Sequence, residues 1–191
     1  MLDDSYRYLI DTSAVFFPHQ RCRKEFTKGL YETLQVACEA GVVLVHGYVL
    51  DEVLKDRGQK VDKFPLATKF ALAVKEQKLG LPKTFGSEQW TRFAADPIAA
   101  QVMTYKANNP ADPFVISAAM AMNEDETTSY RVFVVSEEEN DPKQGYRTSI
   151  SHAAGHMEVL SIGSPALFSR LGVWHPEMHG NAAEHQRKIT G

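Results

Sequence analysis

The sequence predicts an α/β sandwich built around a mostly parallel sheet. Short apolar segments of strand length alternate along the chain with longer segments in which apolar residues recur at helical spacing. One short segment, residues 42–45, is apolar without interruption, as in strands that are buried on both faces of a parallel sheet. The length of 191 residues, 43% of them hydrophobic, suits one domain with a core of its own.

The first half of the chain predicts two strands and four helices. In the first helix Leu30 and Leu34 lie on one apolar stripe, and Gly41 ends the helix as a C-cap glycine. The later helices carry apolar pairs three and four residues apart, and the step Asp96-Pro97 can divide the last of them in two. The elements follow in the order strand 7–10, helix 21–40, strand 42–45, and helices 48–55, 64–77 and 87–106.

The second half of the chain begins with a turn over residues 108–113. Asp112 and Pro113 are the residue types expected at the N-cap and first position of a helix, so Asp112 is predicted to cap a helix over residues 114–122. The elements that follow are strand 131–135, an acidic turn over 136–140, helix 149–154, strand 158–160 and helix 165–171. We expect one domain over residues 1–174 and a polar, flexible tail over residues 175–191.

Composition excludes several classes of protein. The formal net charge is −3, from 21 basic and 24 acidic residues, so no general positive field marks a nucleic-acid binder. No apolar segment is long enough to cross a membrane, and the acidic residues at the start lack the apolar stretch of a secretory signal. The only cysteines, Cys22 and Cys38, fall in one predicted helix and indicate a reduced protein. We therefore expect a cytoplasmic protein without a membrane partner.

Acidic residues recur near the carboxyl ends of the predicted strands, where α/β sheets carry their working residues. Asp11 ends the first strand, Asp51 and Glu52 follow the second, Asp112 opens a helix, and three glutamates, 137–139, follow the third. Carboxylates near one edge repel each other unless a cation shares them, and such hard oxygen ligands suit Mg²⁺ or Mn²⁺. Divalent ions held this way recruit phosphates, which indicates phosphodiester chemistry.

Each acid also has an ordinary structural explanation. Asp112 suits a helix cap, residues 137–139 an acidic turn, and Asp51 and Glu52 a solvated helix face. Helical periodicity does not distinguish Asp51 from Glu52. Asp11 comes directly out of an apolar strand and is the hardest of these residues to explain in this way.

The acids lie in four segments whose order and spacing are informative. These segments are Leu9-Ile10-Asp11-Thr12-Ser13-Ala14, the helix with Asp51-Glu52, Ala111-Asp112-Pro113-Phe114-Val115-Ile116-Ser117-Ala118-Ala119, and Val134-Val135-Ser136-Glu137-Glu138. Together they resemble a PIN domain over residues 8–173. The resemblance implies a three-layer α/β/α sandwich with a central, mostly parallel sheet. It also implies ribonuclease activity, and many PIN domains are toxins of toxin–antitoxin pairs.

The resemblance implies a site in which Asp11, Glu52 and Asp112 hold one or two Mg²⁺ or Mn²⁺ ions. Glu138 would be the fourth catalytic acid. The commoner pattern has an aspartate there, so the longer side chain of Glu138 leaves a role through water open. The hydroxyl side chains expected to orient these ligands or a substrate phosphate are Thr12, Ser13 and Ser136.

An RNA substrate requires basic contacts as well as a metal site. The candidates are the basic residues that follow the first and flank the fourth of these segments, namely Arg21, Arg23, Lys24, Arg131, Lys143 and Arg147. Further partners that the resemblance implies are an antitoxin protein from a neighbouring gene and a second copy of the chain in a homodimer. The alternative function is a catalytically inactive PIN-fold module that binds RNA or protein.

Overall fold

Strands and α-helices alternate along the chain in the computed structural model, which describes residues 5–55, 63–101, 111–137 and 149–180. Four strands and eight α-helices lie within these residues. In chain order they are β1 (Tyr6–Ile10), α1 (Thr12–Arg21), α2 (Lys24–Glu39), β2 (Val43–Val45), α3 (Gly47–Lys55), α4 (Pro65–Glu76), α5 (Ser87–Ala95), α6 (Ala111–Glu124), β3 (Arg131–Val135), α7 (Ile150–His156), β4 (Ser161–Ile162), α8 (Ser164–Arg170) and a 3₁₀ helix (Pro176–Met178).

The four strands form one parallel sheet in the order β2-β1-β3-β4. Leu9 in β1 lies opposite Leu44 on one side and Val134 on the other. The chain moves from β1 to one neighbour and then crosses over to the opposite side, so a topological switch point lies between β1 and β3. In such sheets a crevice opens there, beyond the carboxyl ends of the strands. The predicted α/β/α sandwich is confirmed.

The central strands are buried on both faces, which explains their uninterrupted apolar sequences. Leu9, Ile10, Val134 and Val135 are all fully shielded from solvent. Each such side chain contributes about 1.5–3 kcal/mol to folding relative to an exposed position. The longest described helix, α2, has 16 residues. No helix in the described part of the chain is long and apolar enough to cross a membrane.

Helix α1 is absent from the sequence prediction, because Pro18 lies inside it and proline normally interrupts a helix. The capping signal was nevertheless present, since Asp11 accepts a hydrogen bond from Ala14 N at 2.7 Å. The predicted helix 21–40 therefore begins at Lys24 instead of residue 21. Cys22 lies at the end of α1 rather than in that helix, and it is buried as a free thiol.

The predicted division of helix 87–106 at the step Asp96-Pro97 is present. Helix α5 ends at Ala95, because the Asp96 carboxylate accepts hydrogen bonds from the amides of Ile98 and Ala99 and starts a turn. Residues 102–106 of the predicted helix lie outside the described part of the chain.

The larger of the other differences from the sequence prediction are at the start of α6 and at the last strand. Helix α6 begins at Ala111, so Asp112 lies in its first turn and is not the N-cap. The predicted strand 158–160 is displaced to Ser161–Ile162, because Glu158 has a φ of 58°, which is incompatible with extended backbone.

Residues 175–180, assigned by sequence to the flexible tail, pack against the end of α1. Arg23 N donates to Met178 O at 2.9 Å, and Gly180 N donates to Arg21 O at 2.7 Å. The His179 ring meets the ring of Phe17 with centroids 6.0 Å apart. The folded unit therefore extends past residue 174, and residues 181–191 lie outside the described part of the chain.

Candidate functional site

Asp11 occupies the switch point of the sheet, directly after β1. Its backbone N–H donates to Val135 O at 3.0 Å, which joins the ends of β1 and β3. Its side chain is 1% exposed. The Ser13 hydroxyl lies 2.8 and 2.9 Å from the two carboxyl oxygens, and Ala14 N donates to one of them. The carboxyl group is thus buried and fixed in orientation by the first turn of α1.

Ser13 links Asp11 to the residues that follow β3. Its hydroxyl oxygen accepts a hydrogen bond from Glu137 N at 2.8 Å and lies 3.4 Å from the hydroxyl oxygen of Ser136. The Ser136 side chain also hydrogen-bonds to the Asp11 carboxyl. The predicted supporting hydroxyls Ser13 and Ser136 therefore do meet Asp11, across the switch point.

Glu52, on α3, connects the N-termini of two other helices. It is 7% exposed. Its Oε2 accepts a hydrogen bond from the Thr12 hydroxyl at 2.5 Å, at the start of α1. Its Oε1 accepts from Ala111 N at 3.2 Å, at the start of α6. Glu52 is therefore held next to the residues that adjoin both Asp11 and Asp112.

Asp112 brings a third buried carboxyl group to this edge of the sheet. It is 2% exposed and lies in the first turn of α6. Its negative charge raises the pKa of Asp11, so the two groups are close enough to repel each other. The three carboxyl groups come from separate segments of the chain. Asp112 acts on Asp11 electrostatically, and Glu52 is bonded to Thr12 and Ala111, the residues next to them in sequence.

Burial makes the Asp11 carboxyl group an unusually weak acid. Its pKa rises from 3.8 to about 7, first because burial disfavours the charged form and then because of Asp112. Hydrogen bonds from Ala14, Ser136 and Ser13 oppose this rise. Within the described chain, the groups acting on Asp11 include no lysine, arginine or histidine. A buried charge without a cationic partner is costly, so a proton or a bound cation must compensate it.

The carboxyl groups suit a hard divalent cation in chemistry and charge. Asp11 and Asp112 offer oxygen ligands of the kind that Mg²⁺ and Mn²⁺ prefer. Glu52 engages both of its oxygens with Thr12 and Ala111, and each oxygen retains a further acceptor position. Among residues 5–55, 63–101, 111–137 and 149–180, no three His, Cys, Asp or Glu side chains are already arranged as a metal-binding group.

Glu52 and its neighbour Asp51, which periodicity left equivalent, differ clearly in the structure. Asp51 is partly exposed and pairs with Lys83 and, at 3.5 Å, with Lys75. The hydrogen bond from Lys83 is the main reason that the pKa of Asp51 is lowered. Glu52 is therefore buried against the residues next to Asp11 and Asp112, whereas Asp51 belongs to a lysine-rich surface.

The fourth predicted acid, Glu138, and the candidate RNA contacts Lys143 and Arg147 lie outside the described residues. The preceding residue, Glu137, is described. Its carboxylate accepts a hydrogen bond from Ser164 N at the start of α8. Glu137 thus ties the end of β3 to α8, on the same edge of the sheet as Asp11.

The remaining predicted RNA contacts lie away from the carboxyl groups. Arg21, Arg23 and Lys24 are at or beyond the far end of α1, about 14 Å from its start. Arg131 begins β3, about 13 Å from the end that meets Asp11. The described members of this predicted set therefore do not surround the site. They are close to the site acids in sequence, but they lie at the opposite ends of α1 and β3.

His46 is a site-proximal residue that the sequence analysis did not identify. It follows β2 directly and is fully buried. Its Nδ1 accepts from Tyr48 N at 3.3 Å, which leaves the hydrogen on Nε2 to face Phe85 O, also at 3.3 Å. Burial lowers the pKa of His46 and keeps the ring neutral. The sequence could have indicated His46, because it directly follows a predicted strand, where α/β sheets carry their working residues.

Comparison with protein-family models, with curated proteins and with solved structures finds no match for this chain. The functional interpretation of the site therefore depends on the positions, burial and chemistry of its own residues.

Proposed function

We propose that this protein is a PIN-type, metal-dependent endoribonuclease that hydrolyses RNA phosphodiester bonds. The observation that supports this most is the burial of Asp11 and Asp112 close enough to interact, with Glu52 buried and bonded to the residues beside both. All three are at least nine-tenths buried and come from separate segments. A helix cap accounts for one buried acid, whereas three at one edge call for a shared cation.

Asp11 and Asp112, with Glu52, are the residues that would hold Mg²⁺ or Mn²⁺. When bound, such an ion supplies Lewis-acid polarisation of a phosphoryl oxygen and neutralises the charge that develops on it. Ser13 fixes the Asp11 carboxyl group by bonding to both oxygens, and Thr12 fixes Glu52. These hydroxyls keep the ligands in one orientation, which is what supporting partners of metal ligands do.

The Asp11 carboxyl group also controls a proton. With a pKa of about 7 it is half protonated near neutral pH in the absence of a cation. Binding of a divalent ion requires the carboxylate and therefore releases that proton. We expect metal affinity, and activity with it, to increase as the pH rises from about 6 to 8.

The direct test is cleavage of a pool of structured RNAs with and without Mn²⁺. Asp11→Asn and Asp112→Asn should each reduce metal-dependent cleavage at least ~10²-fold, on the scale of removing one strong transition-state stabiliser. Asp125→Asn is the matched control, because it changes the same group in an exposed turn after α6 and should retain activity. Wild-type rates in either site variant would refute the site assignment.

We further propose that this protein is a cytoplasmic toxin and that a neighbouring gene encodes its antitoxin. Overexpression should slow growth, and co-expression of the adjacent gene should relieve the effect. Equal growth of cells that express wild-type protein and Asp11→Asn would refute the toxin role and leave the nuclease proposal intact. Light scattering of the purified protein tests whether it forms the expected homodimer.

A second candidate function is a PIN-fold binding module without catalysis. The observation that favours it is the engagement of both Glu52 oxygens by Thr12 and Ala111. In that case calorimetry with Mn²⁺ would detect no binding that depends on Asp11, and RNA would stay intact. Metal binding that Asp11→Asn abolishes would exclude this candidate.

A further inference from the structure

A row of nearly parallel rings lies beside the buried carboxyl groups. Phe114, two residues after Asp112, meets Tyr48 with ring centroids 4.6 Å apart and an interplanar angle of 31°. Phe114 also meets Trp90, with ring centroids 6.3 Å apart and an interplanar angle of 20°. His46 lies at the buried end, 5.9 Å and 12° from Phe114. Trp90 is 36% exposed, so the row runs from the core to the surface.

The backbone is arranged to bring these rings together. Gly86 precedes α5 with a φ of 78°, and a Cβ there would lie 2.6 Å from Ala118 N in α6. Only glycine therefore permits α5 to start so close to α6, and this approach brings Trp90 next to Phe114. At the other end, His46 accepts from Tyr48 N and holds the start of α3.

A positively charged cleft borders the aromatic row. Its volume is about 490 Å³, and its lining includes Gly47, Asp51, Lys75, Lys78, Gly80 and Lys83. Three lysines against one aspartate give this lining a net positive charge, although the whole chain has a net charge of −3. Lys83 joins the two features, because its Nζ lies 5.2 Å from the centroid of the Tyr48 ring.

The cleft and the carboxyl groups lie on the same edge of the sheet. Leu81 N donates to Val45 O and Gly47 N donates to Leu81 O, both at 2.9 Å, so this segment extends the sheet beyond β2. Asp11 ends β1, two strand positions away, which corresponds to about 10 Å. Tyr48 and Glu52 are four residues apart on α3 and lie on one side of it.

We propose that the aromatic row and the lysine cleft together form a subsite for single-stranded RNA, an inference that rests on the proposed nuclease function. Bases would stack on the exposed ring of Trp90 and against Tyr48, while the lysines bind the phosphates. Alternating aromatic and basic groups are how proteins hold single strands, whose base faces are free. A duplex hides those faces and would not use the rings. The cleft volume falls within the range of small-ligand sites.

Fluorescence of Trp90 provides a direct readout of stacking. The chain has two tryptophans, so Trp174→Phe leaves Trp90 as the only one. We expect an unstructured oligoribonucleotide of about 12 nucleotides, added in EDTA to prevent cleavage, to quench this fluorescence. A duplex of the same length should leave it unchanged. Equal quenching by both, or none by the single strand, would overturn the proposal.

Anisotropy of a fluorescein-labelled oligoribonucleotide tests the two halves of the subsite separately. Trp90→Ala should weaken binding about 10-fold without changing the salt dependence. Lys75→Gln, Lys78→Gln and Lys83→Gln combined should weaken it and lower the slope of log Kd against log salt by up to about 2. The matched control, Arg23→Gln with Lys24→Gln at the far end of α1, should bind within about twofold of wild type.

The outcomes separate this subsite from the proposed nuclease. If wild-type protein cleaves RNA and the Trp90 and lysine variants bind as it does, the subsite is wrong and the nuclease stands. If quenching and the variant effects occur but Mn²⁺ produces no cleavage, the nuclease proposal fails and the subsite stands. Tighter binding of the matched deoxyoligonucleotide, which shares bases and phosphates, would assign the subsite to DNA and overturn the choice of RNA.

Discussion

Neutralising Asp11 should stabilise the metal-free protein above pH 7. The folded state keeps a proton on this carboxyl group up to a pKa of about 7, whereas the ordinary value in an unfolded chain is 3.8. At about 1.36 kcal/mol per pH unit, ionising the buried group costs roughly 4 kcal/mol. Asparagine avoids that cost but replaces one carboxyl oxygen, an acceptor for the surrounding donors, with an amide donor, which costs about 2–3 kcal/mol at any pH. The expected net gain is about 1–2 kcal/mol, or about 2–8 °C in Tm.

The stability difference between wild type and Asp11→Asn should change sign with pH. Folding raises the pKa of Asp11, so the protonated group contributes to the free energy of unfolding. This contribution is fully present below about pH 4 and is lost as the pH rises to about 7. The difference in unfolding free energy between wild type and Asp11→Asn isolates this group from all others. That difference should favour wild type at pH 4 and the variant at pH 8.

Divalent ions should remove most of the difference between the two proteins at pH 8. With about 10 mM Mg²⁺ and an assumed Kd near 1 mM, wild type gains about 1.4 kcal/mol by mass action. Asp11→Asn should lose most of this gain, so the two proteins should converge as metal is added. The gain in wild type should be smaller at pH 5, where a proton competes for the same carboxyl group.

Urea and thermal unfolding followed by circular dichroism, in EDTA and then in Mg²⁺, measure these differences. Asp51→Asn is the control, because pairing with Lys83 lowers the pKa of Asp51 and its neutralisation should leave stability unchanged or reduced. The reasoning is refuted if Asp11→Asn lowers the metal-free Tm at pH 8 and leaves the Mg²⁺ effect unaltered.

Two further predictions follow from single contacts. Thr12→Val removes the hydroxyl that bonds to Glu52, so metal-dependent cleavage should fall about 10- to 100-fold with little change in Tm, while Thr12→Ser retains activity. Gly86→Ala should destabilise the fold by at least about 2 kcal/mol in urea titration, because its Cβ would meet Ala118. Gly172→Ala, with a φ of 77° but no atom within 4 Å, should cost only about 1 kcal/mol, and an equal loss in both would contradict the steric explanation.

Hydropathy predicted the fold class well, because burial on both faces of the sheet leaves a pattern in the sequence itself. The uninterrupted segment 42–45 and the apolar residues of β3 identified the parallel strands. Helix α1 did not follow from local propensity, since Pro18 opposes it and only packing in the folded state outweighs that preference. The chain likewise turns at Glu158, which has a φ of 58°, although its β-branched and apolar neighbours favour a strand.

The site was predictable only in part, because its residues meet through contacts between distant segments. Periodicity could not choose Glu52 over Asp51, and the choice depends on Thr12 and Ala111, which lie 40 and 59 residues away. Proximity in sequence to a motif did not predict which basic residues lie near the buried carboxyl groups. The basic residues that follow Asp11 in sequence lie at the other end of α1, and Lys83, remote in sequence, lies near α3.

A structural role does not by itself explain an aspartate at position 11. The side chain caps α1, and a cap contributes about 0.5–2 kcal/mol. Asparagine and serine cap helices about as well without a charge, whereas ionising this buried carboxyl group near Asp112 costs roughly 4 kcal/mol. The cost of the charge therefore exceeds the benefit of the cap, and only a ligand that needs the carboxylate reverses the balance. The proposed divalent cation, held by Asp11 and Asp112, would do so, and the capping geometry is therefore compatible with the metal proposal.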